Sequence, residues 1–196
     1  MKKLLLLLAM SLALAGCGAS NSTASGEGAT GDQGSSTTYE ESQDFRVPSA
    51  TFSSVKMRIW DAASIFAEKF PSVDIDEISF EIGDGLGYYE VHGFDKENEY
   101  ELKLRADDGG IISEETEKED TTGKKALDRD LLEDLYTVLD NAVADAGEDY
   151  FVKSYHVDYE DNGSFMKLEI ELENTKGQDI EYEYNLSTQE LLQKDR

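Results

Sequence analysis

Period-two alternation, broken by glycine-bearing turns and twice preceded by a helical period, decides the fold class of this sequence. Ile78, Phe80 and Ile82 alternate with polar residues, the turn Gly83-Asp84-Gly85-Leu86-Gly87 follows, and the alternation resumes at Tyr89 and Val91 and again at Tyr100, Leu102 and Leu104. Successive side chains of a strand point to opposite faces, so this pattern describes half-buried antiparallel strands joined by hairpins. Asp107-Asp108-Gly109-Gly110 makes another turn before Ile111 and Ile112. Upstream, Val55, Ile59, Ala62, Ala63, Phe66 and Phe70 recur at helical spacing behind candidate capping residues Ser53 and Ser54, and Pro71 stops the helix.

The same order returns after an acidic connector around Glu114 to Gly123. Leu131, Leu132, Leu135, Val138, Leu139, Ala142, Val143 and Ala146 predict an amphipathic helix ended by Gly147. Tyr155, Val157 and Tyr159 then alternate, Asn162-Gly163 is a hairpin signal, and Met166, Leu168, Ile170 and Leu172 mark the return strand. Ile180, Tyr182, Tyr184 and Leu186 follow, then Leu191 and Leu192. The expectation is an α+β chain of two tandem repeats, 45–118 and 119–196, each with one helix packed on an antiparallel sheet of about four strands.

Composition bounds where such a body works. The 196 residues carry 18 Lys plus Arg against 43 Asp plus Glu, a formal charge of -25, which argues against a nucleic-acid partner because phosphate recognition needs clustered cations. The single cysteine, Cys17, excludes an intramolecular disulfide, a CxxC redox pair and a multi-cysteine zinc site. It follows Lys2, Lys3 and the apolar run Leu4 to Leu14, the layout of a secretory signal in residues 1–16. No other stretch is apolar for about 18 residues. Gly18 to Asp44, dominated by Gly, Ser, Thr and Ala, reads as a flexible linker completing segment 17–44.

Motifs of catalysis are missing: there is no GxSxG elbow, HExxH pair or Walker loop. The only histidines, His92 and His156, fall in predicted strands of opposite repeats and read as ordinary strand residues. The chain is therefore expected to be no enzyme and to need no cofactor. One metal pattern stands out. Asp158, Glu160, Asn162 and Glu169 approximate the offsets of an EF-hand calcium loop, with Gly163 at its sixth position. Glu at the third position and strand-like flanks count against it, and Asn162-Gly163 as a type I′ turn explains the same residues.

Tyrosines cluster in the strands. Tyr88, Tyr100, Tyr155, Tyr159, Tyr182 and Tyr184 are candidate partner-binding residues, since tyrosine gives large contact area at low entropic cost. Packing as core aromatics is the competing reading.

Two resemblances extend these readings. Leu14-Ala15-Gly16-Cys17 resembles the bacterial lipobox, which implies that Cys17 is diacylated and becomes the N-terminus, an anchor that holds the chain on the extracytoplasmic face of the cell membrane. Removing residues 1–16 takes away two lysines and no acids, so the mature chain carries -27. The segments from Ala62 to Pro71, Tyr88 to Phe94 and Leu102 to Ile112 resemble a PepSY domain, with a weaker second match at Phe165 to Glu171 and Tyr184 to Leu192. Helix plus four strands, given twice, is also similar in architecture to secreted β-lactamase-inhibitory proteins. The PepSY resemblance implies a non-catalytic module that binds, and in some settings restrains, a peptidase or another envelope protein. A solute- or ion-binding surface lipoprotein is the alternative.

Overall fold

The structure, a computed structural model, describes Phe52 and residues 55–160 and 163–196. The signal peptide, Cys17, the linker, Ser53, Ser54 and Asn162 lie outside the described residues.

Helix α1 spans Ile59–Lys69. It starts later than the periodicity predicts: Val55 and Met57 belong to an extended lead-in, where the Met57 N–H donates to the Ala106 carbonyl at 3.2 Å. At its start the Arg58 N–H donates to the Asp61 carboxylate at 2.8 Å, satisfying an orphan donor with an acid placed favourably on the helix dipole. After the Phe70 N–H closes on the Phe66 carbonyl at 2.8 Å, Pro71 cannot continue the ladder. Four strands follow, β1 (Asp74–Gly83), β2 (Leu86–Phe94), β3 (Asn98–Arg105) and β4 (Ile111–Lys118). Asp84 (φ 50°) and Gly85 (φ 76°) form the two-residue link between β1 and β2, as a type I′ hairpin requires.

The second predicted helix is broken in two. Arg129–Glu133 is a 3-10 turn capped by the Asp128 carboxylate, which accepts from the Asp130 N–H at 3.1 Å, and α2 proper runs Leu135–Ala146. Strands β5 (Tyr150–Tyr159), β6 (Met166–Asn174), β7 (Asp179–Asn185) and β8 (Glu190–Asp195) complete the described chain.

These strands correct the expected architecture. They do not make two helix-on-sheet repeats with separate sheets. All eight form one antiparallel sheet in the order β4-β3-β2-β1-β5-β6-β7-β8, so the body is a single sheet-dominated layer with two helices. The joint is β1 against β5, with Ile78 opposite Val157, Ser79 opposite His156, Phe80 opposite Tyr155 and Glu81 opposite Ser154. Each of these strands is hairpin-paired on one side only, and pairing them satisfies two rows of backbone groups that would otherwise be open edges.

One face of the sheet holds the core. Ile78, Phe80, Tyr89, Val91, Leu102, Leu104, Tyr155, Val157, Leu168, Ile170, Leu172, Ile180 and Tyr182 are buried there. Ala62, Ala63 and Phe66 of α1 and Leu135, Val138, Leu139 and Ala142 of α2 join the same cluster. Gly93 lets α1 settle: a Cβ there would lie 2.7 Å from the Phe66 ring and 2.6 Å from the Asp74 carbonyl oxygen.

Candidate binding face

Neither described α-helix lies on the opposite face of the sheet, and alternation hands that face the polar half of the inner strands. From β1 come Glu77, Ser79 and Glu81; from β2, Tyr88, Glu90 and His92; from β5, Ser154, His156 and Asp158; from β6, Lys167, Glu169 and Glu171; from β7, Glu181 and Glu183. Between β1 and β8 this face forms a trough of about 440 Å³. Glu81, Glu169, Glu171, Glu181, Glu183 and Asp195 line it, and no lysine or arginine does. Lys153 reaches in from outside, 2.8 Å from Glu171 and 3.1 Å from Glu173, and these carboxylates push its pKa up. Lys167 is held by Glu169 at 2.8 Å.

Toward β3 the face changes character. Glu77 of β1 and Glu101 of β3 stand directly opposite His92 of β2, one on each side. The imidazole Nε2 lies 3.1 Å from Glu90 Oε1 and 4.0 Å from Glu77 Oε1. The same Glu77 oxygen is 3.6 Å from His156 Nδ1, and His156 Nε2 is 3.8 Å from Asp158 Oδ2. Burial works against a charged imidazole, but the hydrogen bond to Glu90 and the fields of Glu77, Glu90 and Glu101 outweigh it and raise the pKa of His92. For His156, burial is likewise outweighed by Asp158, Glu77 and Glu169. Glu90, hydrogen-bonded by His92 and Lys103 against its own desolvation, is drawn down to about 2. Two histidines read in sequence as unrelated strand residues thus meet around one carboxylate. The signal that could have found them is a cross-strand register, which a single sequence does not contain.

The tyrosines mostly face the other way. Tyr155 and Tyr182, each 2% exposed, and Tyr184 are buried on the helix side. The Tyr182 hydroxyl donates to Asp145 of α2 at 2.9 Å, and the Tyr155 hydroxyl to that of Tyr89 at 3.3 Å. Tyr100 packs on Phe70 with ring centroids 5.0 Å apart and donates to Asp95 at 2.8 Å. Tyr159 is half-buried against the core under Lys125, whose Nζ is 3.8 Å from the ring centroid. Of the six, Tyr88 alone stands on the open face, beneath Lys103. Alternation against the helices decides this: the aromatic positions are the apolar half of their strands, so the expected tyrosine-lined surface is replaced by a carboxylate-lined one. Of the calcium pattern, Asp158 and Glu169 are on the open face of β5 and β6, with Lys167 directly opposite Asp158 and paired to Glu169. Their flanks are strands, not the helices an EF-hand needs.

No family model matches the sequence, and no curated protein does. The PepSY resemblance therefore rests on the segments quoted above. Among solved structures, the chain is similar to that of a candidate lipoprotein from Clostridium difficile 630, with a TM-score of 0.56 and 21% sequence identity over 72% of this chain and 93% of that one. At that identity the likeness is one of fold.

Proposed function

We propose that this chain is a lipid-anchored, extracytoplasmic lipoprotein with no catalytic role, whose body holds a cationic segment of a protein partner on its open sheet face. The anchor rests on the leader and on Cys17 in its lipobox-like setting, and the shared fold with a candidate lipoprotein supports it. Among the described residues no helix is long and apolar enough to cross a membrane.

The observation that carries the binding role is the trough: six carboxylates on a sheet face that neither described helix covers, with no lysine or arginine among its lining residues. Such a surface repels acidic partners and anionic lipid and draws lysine- or arginine-rich segments, speeding encounter and fixing orientation. A peptidase or another envelope protein presenting a basic loop is the partner we favour, on the strength of the PepSY resemblance. Photo-cross-linkers placed at Glu181 on the open face and at Asp140 on α2 test this on source cells. The expected product forms from position 181, weakens with added salt and with the pair Glu181→Lys and Glu183→Lys, and, where it is a peptidase, loses activity on adding the purified chain. Equal capture from position 140, or indifference to salt and charge reversal, would refute it.

A further inference from the structure

Beside the trough, toward β3, the open face carries a second arrangement. His92 is the centre of a cross: Glu77 and Glu101 face it from the neighbouring strands, and Glu90 precedes it by two residues on the same strand face. Directly opposed residues on one sheet face have Cβ atoms about 4.5 to 5.5 Å apart, so strand pairing itself gathers these side chains. One ligand atom from each of Glu90, His92 and Glu101 comes within 4.8 Å of both others. Glu77 Oε1 lies 4.0 Å from the same imidazole nitrogen. We propose that this cluster is a site for a divalent transition-metal ion, with His92 Nε2 and the carboxylates of Glu90 and Glu101 as ligands and Glu77 as the fourth donor.

The chemistry selects the ion. Zinc bonds imidazole nitrogen and carboxylate oxygen at about 2.0 to 2.2 Å, which places tetrahedral ligand atoms about 3.4 Å from one another. Side-chain rotation, on strands whose backbones are fixed by ladders on both sides, is the movement that would bring Glu90, His92 and Glu101 from within 4.8 Å to that value, and Glu77, outside that group, has further to swing. One imidazole among carboxylates favours zinc and its neighbours over calcium, which takes six to eight oxygens. The side chains of His92 and Glu90 are 30% and 32% exposed, open enough for entry and shielded enough to strengthen the charge interaction. Glu90 Oε2 is shared with Lys103 at 3.3 Å, which leaves Oε1, the oxygen nearer His92, for the ion. His156, 3.6 Å from Glu77 Oε1, is a positioning residue that orients the fourth donor. The site centres on β2 and β3 and the trough on β5 to β8; they share β1 and border at His156, so Glu101 at one end and Glu183 at the other separate them.

Calorimetric titration of the full chain with zinc ion alone at neutral pH tests the proposal. One ion per chain is expected, at micromolar affinity, and cobalt substituted for zinc should give the strong visible absorption of a tetrahedral site. His92→Gln and Glu101→Gln should each weaken binding more than His156→Gln, for which a loss of about 10-fold is expected. Glu183→Gln makes the same charge change inside the trough and should leave affinity within about twofold. Circular dichroism checks that each variant is folded. Should His92→Gln fail to fold, the ring-nitrogen NMR signals of the unaltered chain decide instead: zinc should move those of His92 first and furthest. Binding only at millimolar zinc, several equivalent weak sites that Glu183→Gln weakens as much as Glu101→Gln does, or a His92 ring untouched by zinc would overturn it.

Discussion

Replacing Phe80 by alanine tests whether the eight strands unfold as one body. The ring is 1% exposed and stands at the joint between β1 and β5, directly opposite Tyr155. It stacks on Tyr155 at 5.4 Å and tilts against Tyr89 at 5.2 Å, while Phe52 meets it edge-on at 5.3 Å. Truncating a buried Phe costs about 3 to 5 kcal/mol, of which each aromatic contact supplies about 0.5 to 1.5 kcal/mol. The seam has fewer paired positions than the β1–β2 or β5–β6 ladder, so side chains rather than backbone bonds carry much of the coupling across it. At about 2 to 4 °C per kcal/mol for a body of this size, a loss of about 4 kcal/mol lowers Tm by about 8 to 16 °C. Thermal melts followed by far-UV circular dichroism and by tyrosine fluorescence should show one shifted transition, coincident by both probes. Two transitions of which one alone moves, or a shift below about 4 °C, would refute a seam that makes one cooperative unit of the sheet.

Other perturbations address other links. Gly93→Ala should cost about 1 to 3 kcal/mol by overpacking, because its Cβ would overlap Phe66 and the Asp74 carbonyl, and denaturant unfolding reads that loss. Lys124→Met should cost about 2 kcal/mol, since Lys124 Nζ sits 2.6 Å from the largely buried Asp76 carboxylate and 2.8 Å from Glu99; adding Asp76→Asn should recover part of it in a double-mutant cycle. The Asp95 carboxylate accepts from the Glu97 and Asn98 N–H groups and from the Tyr100 hydroxyl, which lower its pKa. Its stabilising effect is therefore present above the ordinary carboxylate range and lost as pH falls through the lowered folded value. Melts between about pH 5 and about pH 2 should be less steep in Asp95→Asn than in the parent chain.

The sequence placed the six inner strands well because one buried and one open face impose alternation on them, whereas β4, exposed along its whole length, takes in Glu114 to Lys118, which read as part of a connector. It placed helix starts poorly. Val55 keeps the helical spacing but lies in an extended lead-in whose Met57 bonds to Ala106, a tertiary contact that overrides local periodicity. The gravest miss was the seam: Ile78, Phe80, Tyr155 and Val157 are equally good residues for the edge of two small sheets or the middle of one large one, and nothing local distinguishes them. The tyrosines failed in a related way. Alternation correctly puts Tyr182 with Tyr184 and Tyr155 with Tyr159, but only the docked helices say which side of the sheet those pairs face. His92 was legible as a strand residue, whereas its two flanking carboxylates belong to registers that the folded sheet alone sets.

Why the open face exists at all follows from dimensions. Eight strands at about 4.8 Å spacing make a sheet about 34 Å wide, whereas two helices of about 10 Å diameter cover little more than half of one side. The outermost strands are consequently left thinly covered: Ile111 and Ile112 in β4 and Leu191 and Leu192 in β8 are 45 to 47% exposed. Such edges invite pairing with another chain, and here Glu114, Glu115, Glu117 and Lys118 on β4, with Glu190, Lys194 and Asp195 on β8, oppose it by charge. Because the apolar half of each inner strand is already committed to the helix side, the second face presents mostly polar residues there. Those residues could have been a neutral mixture of lysine and glutamate, as solubility alone would permit. The residues that line the trough carry one sign only, and lysines at its rim, Lys103, Lys153 and Lys167, offset Glu81, Glu171 and Glu169 but leave an acidic excess without any packing gain. That imbalance is what a surface adapted to solvent alone does not require, and the cationic partner proposed above would supply the missing charge.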